Sequence, residues 1–223
     1  MKKKIPAELL LIGGLLLNSF ALDLMVKSAL GVATLSSVPL VFATIFPKLT
    51  IGTWTGLVQV LYIIVMMAYT KRFKVGYVLS FLLAIVFSLF VDMWNVLLVQ
   101  HLPSNIILNL LYFGAGLLMI SFGAVCMIRC KLPILAFDLV IRELSDYTGK
   151  GVKVIKTGLD IVSVIVSVVL SYLVLGRLVG IGVGTIFNMF VMGSIMGFFG
   201  DYFDANYEAQ PITPVGNWLA QYS

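Results

Sequence analysis

Apolar residues run through this chain in long blocks separated by short polar or charged patches. Six blocks, at residues 7–29, 52–69, 75–99, 106–128, 153–175 and 182–199, are long enough to cross a bilayer as helices, which takes roughly 20 apolar residues. Two further blocks are too short to span. Thr34 to Phe46 is broken by Pro39 and ended by Pro47, and Pro133 to Leu144 carries Asp138, Arg142 and Glu143. Lipid penalises such charges. A short charged helix between spans is tolerated only where protein or a wet cavity surrounds it. The pattern therefore predicts six spanning helices and two re-entrant half-helices.

The block ends carry their own signals. Pro6 suits a helix start, where its missing N–H would be unpaired anyway. Asp23 and Lys27, four apart, are placed to pair on one helix face. His101 to Asn105 (HLPSN) reads as a turn. From Asp201 onward the chain turns polar and acidic, with Trp218 and Tyr222 suited to the membrane interface. The basic start followed by an apolar run imitates a signal peptide. The run is too long for one, and more membrane follows at once, so the expectation is a retained first span.

The halves repeat. Residues 8–70 laid on 110–172, an offset of 102, give 15 identities in 63 ungapped positions. They include Gly14/Gly116, Ser19/Ser121, Phe20/Phe122 and Leu30/Leu132. Thr55-Gly56-Leu57 falls on Thr157-Gly158-Leu159, and Lys27 meets Arg129. Farther on the offset becomes 109, with Phe81/Phe190, Phe90/Phe199 and Asp92/Asp201, the last pair suited to capping spans. Such repeats recur in transporter folds.

Positive charge chooses the arrangement. With both short pieces re-entrant and the N-terminus cytoplasmic, twelve Lys and Arg lie inside and three (Lys27, Lys48 and Arg177) outside. With both pieces spanning, the split is seven against seven and Arg142 is stranded in lipid. The positive-inside rule favours the first. Three spans per half invert the second half relative to the first. The predicted fold is thus an all-α polytopic membrane protein, one domain over residues 1–223. It has inverted repeats at 7–99 and 106–201, each of three spans and a half-helix, and a polar tail at 202–223.

Composition agrees: 61% of residues are hydrophobic and 11% charged, against about 25% charged in soluble domains. The net charge of +5 sits in short runs between spans, so it sets orientation and does not indicate nucleic acid. Cys126 and Cys130 have no His or third Cys nearby to complete a metal site, and a single His gives no Ser-His-Asp or Cys-His set. The chain is expected to be no enzyme and to hold no cofactor or metal. Leu178 to Phe187 is glycine-rich but lacks the lysine of a phosphate loop and follows a span. Gly52/Gly56, Gly193/Gly197 and the counterpart Ala84/Ser88 read as close helix packing.

Ionisable residues at depth are the candidate site. They are Asp138 on the second half-helix, its first-half equivalent Ser36, and Lys156 and Asp160 at the start of the next span. Asn188 on the last span joins them as a neutral hydrogen-bonder. Asp138 is assigned as the group that takes up a proton or cation, and Lys156 as the counter-charge of Asp160.

These residues also carry a resemblance. Leu30-Gly31, Leu132-Pro133 with Asp138, and Leu144-Ser145 with Thr148-Gly149 resemble the YczE/YyaS/YitT group of bacterial integral membrane proteins. So do Lys153, Lys156-Thr157 with Asp160, and Gly182-x-Gly184-Thr185 with Asp201. The chain departs from that pattern at Pro133, at Thr34 and Ala136 in place of proline, and at Ser36 in place of aspartate. The resemblance implies a multi-pass protein of the bacterial cytoplasmic membrane, with both termini expected on the cytoplasmic side. Two functions are carried forward. One is a secondary transporter of a small solute, coupled to protons or cations. The other is a non-catalytic membrane module, serving as a substrate-binding subunit or assembly factor. The expected partners are the lipid bilayer, an unidentified small solute, and either further copies of the chain or a partner subunit.

Overall fold

The computed structural model describes residues 2–130 and 132–220. In chain order the elements are β1 (Lys3–Pro6), α1 (Ala7–Ser28), α2 (Thr34–Ile45), α3 (Ile51–Thr70), α4 (Val75–Leu97), α5 (Ile106–Arg129), α6 (Ala136–Thr148), α7 (Val152–Leu170, continued by a π-helical turn Ser171–Leu175), α8 (Val183–Asn206), β2 (Tyr207–Gln210) and α9 (Pro214–Ala220). Six helices are long and apolar enough to span. Large apolar side chains such as Leu61, Leu89, Leu110 and Phe190 are exposed on them, as expected of a lipid-facing surface. The chain is a multi-pass, helical membrane protein, with α2 and α6 as its two short helices. The parts of the sequence reading that rest on Lys131, Tyr222 and the side chain of Lys153 lie outside the described residues.

The centre of the bundle is the antiparallel pair α1 and α5, the most extensive helix contact in the molecule. Glycines make it close. A Cβ on Gly14 would stand 2.5 Å from Met127 Cγ and 3.0 Å from the Gly123 carbonyl oxygen. A Cβ on Gly116 would stand 2.7 Å from Met25 Cγ and 3.0 Å from the Ala21 carbonyl oxygen. Between these contacts Asn18 fills the groove over Gly123, and its Nδ2 lies 3.5 Å from Met127 Sδ. Lipid gives apolar helices no hydrophobic reason to associate, so small residues that admit a close approach carry much of the attraction. Around this pair α4 packs on α1 and α8 on α5, while α2 lies on α7 and α3 on α6.

Several boundaries differ from the sequence reading. Pro39 does not break α2; it sits inside a continuous helix, where proline removes one backbone hydrogen bond. The last span continues to Asn206, because Asp204 takes two hydrogen bonds from Arg129 at 2.7 and 2.9 Å and Phe203 is buried. Asp23 does not pair with Lys27. Its side chain is fully buried, while Lys27 Nζ donates to the Gln100 carbonyl at 3.3 Å. The polar tail also contributes β2, which pairs in parallel with β1, Lys3 opposite Tyr207. Glu8 accepts from the backbone N–H of Thr213 at 2.8 Å and from its Oγ1 at 2.7 Å. Both terminal segments therefore lie on one face of the bundle, as an even number of spans requires.

The α1–α5 contact makes a direct prediction. Gly116→Leu should wedge the pair apart and cost about 1–3 kcal/mol, the range for overpacking a tight core. Gly114→Leu, on open space, should leave stability unchanged. Thermal melting of both variants in one detergent measures the difference; equal melting curves would contradict the close packing.

Candidate functional site

A cavity of about 260 Å³ lies among the helices. Ser36, Asp138, Lys156, Asp160 and Asn188, the five residues singled out from sequence, all line it. Ser36 and Asp138 are at the first turns of α2 and α6, so the N-terminal ends of both short helices meet the same space. Lys156 and Asp160 come from α7. Asn188 comes from α8, followed along that helix by a wall of Met189, Met192 and Met196. Phe87 of α4 and Ile120 and Ala124 of α5 complete the apolar side.

The charges are unevenly satisfied. Asp160 is buried, and its Oδ1 accepts from Thr34 Oγ1, the first residue of α2, while its Oδ2 lies 3.3 Å from Lys156 Nζ. Lys156 and Asp160 thus form the pair predicted from their spacing, and the pair also pins α2 to α7. Serines extend this seam. Ser37 and Ser167 stand 2.8 Å apart, and Ser163 lies 2.7 Å from Tyr62 of α3. Asp138 is the third residue of α6, where a carboxylate compensates the positive end of the helix dipole. It is only half-buried, and no described residue makes an ion pair with it. Asn188 is 2% exposed, and its Oδ1 has no hydrogen-bond donor among the described residues. A polar atom buried without a partner costs free energy, and Asn18 Oδ1, in the same lining, is in the same state.

Sequence reading missed Thr34, Asn18 and the methionine wall. Thr34 takes part only because α2 begins where α7 passes Asp160, a juxtaposition 126 residues apart in sequence. Cys126 and Cys130 are buried free thiols, and burial pushes the Cys130 thiol up to about 11. No group of three His, Cys, Asp or Glu able to hold a metal occurs among the described residues. Gly182 and Gly184 pack on the α1–α2 turn, where Gly184 N–H donates to the Leu30 carbonyl at 2.9 Å. Gly31 adopts φ +122° there, and a side chain on it would strike Thr185.

Residues 5–201 match a family described as "Family of unknown function (DUF6198)". The chain belongs to this family. The matched region takes in every residue that lines the cavity. The DUF6198 chain is also similar to "Uncharacterized protein YyaS" of Bacillus subtilis (strain 168), at 28% identity over 139 residues, 60% of this chain and 68% of that protein. No solved structure matches it.

At the far end of α6 a second polar cluster fixes how this DUF6198 chain holds its half-helix. Glu143 is 5% exposed and accepts from Lys74 Nζ at 2.8 and 2.9 Å and from Tyr77 Oη at 2.8 Å. With Ser80 Oγ donating to the Ile134 carbonyl at 2.7 Å, this clamps α6 to α4. Burial alone would raise the Glu143 carboxyl, but the hydrogen bonds from Lys74 and Tyr77 outweigh it and hold the carboxyl below its ordinary range. A carboxyl depressed in the folded state adds stability that is fully present above its unfolded pKa, about 4.3. That stability is lost as pH falls through the folded value. Glu143→Gln should cost about 1.5–3 kcal/mol near neutrality, the worth of a hydrogen bond to a charged group. It should also flatten the loss of thermal stability on acidification below about pH 4.3. Melting curves of wild type and variant across that range measure both effects.

Proposed function

We propose that this protein is a secondary transporter of a small solute, built as two inverted repeats around the cavity and coupled to protons or cations through Asp138. One observation carries the reading: the half-helices α2 and α6, at equivalent places in the two halves, bring their first turns to one central space that also holds Asp138, Lys156, Asp160 and Asn188. The exchange of contacts between halves supports the repeat. Gly14 meets Met127 and Gly116 meets Met25, and each contact becomes the other when 102 is added to one residue and subtracted from its partner. The pairs α2 with α7 and α3 with α6 exchange in the same way. Inverted repeats around a site built from broken helices suit alternating access, in which one repeat or bundle moves against the other. The charge count supports a cytoplasmic side for both termini in a bacterial cell, and cysteine labelling tests that. Labels at positions 101 and 177 should react from outside, and labels at 72 and 150 from inside.

The purified protein should be stabilised by at least one solute in a thermal-shift screen, since a ligand of the folded state raises its melting temperature. That solute should then exchange across liposomes that contain the protein alone. Asp138→Asn should remove the thermal shift and the exchange while leaving expression and monodispersity intact. If the variant binds and exchanges like wild type, Asp138 is structural and the site assignment fails. If exchange needs a co-purifying ATPase in fixed stoichiometry, the membrane-module reading replaces this one.

A further inference from the structure

The two halves differ most where their third and fourth helices meet. In the first half α3 and α4 lie tightly together. A Cβ on Gly56 would stand 3.2 Å from Ser88 Cβ, and one on Gly52 would collide with Ser88 and Asp92. Ser88 Oγ donates to the Gly52 carbonyl. Asp92 caps the start of α3, accepting from Gly52 N–H at 2.9 Å and from Thr50 Oγ1 at 2.6 Å.

The second half carries the corresponding residues and does not use them. Offsets of 102 and 109 turn Gly56, Ala84, Ser88 and Asp92 into Gly158, Gly193, Gly197 and Asp201. A Cβ on Gly158, Gly193 or Gly197 would meet nothing within 4 Å. The expectation that Gly193 and Gly197 form a packing face therefore fails in this conformation. Asp201 is exposed and caps no described residue of α7, and α7 and α8 have no contact comparable to that of α3 with α4. Between them lies the cavity, with Lys156, Thr157 and Asp160 on the α7 side and Met192, Gly193 and Met196 on the α8 side. The unpartnered Oδ1 of Asn188 belongs to the helix that stands apart.

We infer that α8 is a gate: it closes on α7 through the seam that α4 already makes on α3, and in doing so shuts the cavity between them. Gly193 and Gly197 come down on Gly158, and Asp201 reaches the first turn of α7 as Asp92 reaches that of α3. The fixed and moving helices differ in what holds them: α8 is bonded at its two ends, Gly184 to Leu30 and Asp204 to Arg129, and faces the cavity between them. The cap from Asp92 and the cluster of Lys74, Tyr77 and Glu143 anchor α4. At the equivalent positions α8 has valine for Lys74, at Val183, and α2 has valine for Glu143, at Val41. Glycine at both 193 and 197 leaves the backbone of α8 free to approach closely. The motion gives the transporter reading above its occluding step, yet it is measured without a substrate, so the two can fail separately.

The test is disulfide trapping in native membranes, with Cys126 and Cys130 changed to alanine. Gly158→Cys/Gly197→Cys is the gate pair and Gly56→Cys/Ser88→Cys the reference pair, whose Cβ atoms already stand near disulfide distance. Val154→Cys/Asp201→Cys is a second gate pair, in case the first fails to assemble. On oxidation a gate pair should cross-link within the chain to the extent of the reference pair. Once formed, that cross-link should block thiol labelling of a cysteine at Ser36 in the cavity. If both gate pairs stay reduced while the reference pair closes, α8 does not reach α7 and the gate is overturned. A cross-link that forms but leaves position 36 open to label would overturn the closure of the cavity. A working gate in a protein that exchanges no solute would keep this inference and remove the transporter reading.

Discussion

The contact on which the molecule depends is the antiparallel seam of α1 and α5. In water an apolar helix pair associates to escape solvent, but in lipid that incentive is absent and geometry must supply the attraction. Gly14 and Gly116 let each helix receive a methionine from the other, with Asn18 over Gly123 between them. Every other element takes its place from this pair. Helices α4 and α8 flank it, α2, α6 and α7 add their residues to the cavity, and α3 packs outside it on α2, α4 and α6. A cavity lined from both halves follows from a central pair that contributes one helix from each.

Polar chemistry inside the bundle is handled by pairing across that arrangement. Asp160 is held by Thr34 and Lys156, Glu143 by Lys74 and Tyr77, and the serines of α7 by Ser37 and Tyr62. These are helix-to-helix bonds between groups that lipid would leave unsatisfied, so they fasten as well as neutralise. Asp138 and Asn188 are among the cavity groups without such a partner, and Asp23, Gln59 and Ser171 are further buried groups with unpaired atoms among the described residues. Asp138 and Asn188 stand at the start of α6 and on the cavity side of α8.

Much of this could be read from the order of residues. Block length separated six long helices from the short α2 and α6, and the charges of the second short block marked it as facing protein or water. Spacing of four predicted the Lys156–Asp160 pair. The same rule failed for Asp23 and Lys27, because burial of Asp23 on the packed face decided where its carboxyl went. Asp92 and Asp201 look alike in sequence, yet among the described residues only Asp92 caps a neighbouring helix, since that requires the other helix to be close. Helix α8 runs past the predicted end at residue 199 for a related reason: Asp204 is held by Arg129, a partner 75 residues away that local pattern does not reveal. Long-range contacts of this kind decide which copy of a repeated motif is used.

The parallel ladder of β1 with β2 has a topological consequence. It sets residues 3–6 directly beside residues 207–210, so the described path nearly closes into a ring, and the turn at residues 102–105 is the exposed crossing between its two arcs. Two segments held side by side in this way favour a chain that is cut elsewhere and rejoined across them. A circular permutant opened at that turn would place the present second half first while keeping each helix beside its present neighbours. In such a ring neither arc is intrinsically the beginning. What distinguishes them is chemical: one carries Asp138, Lys156 and Asp160, and the other supplies the surfaces against which they are held.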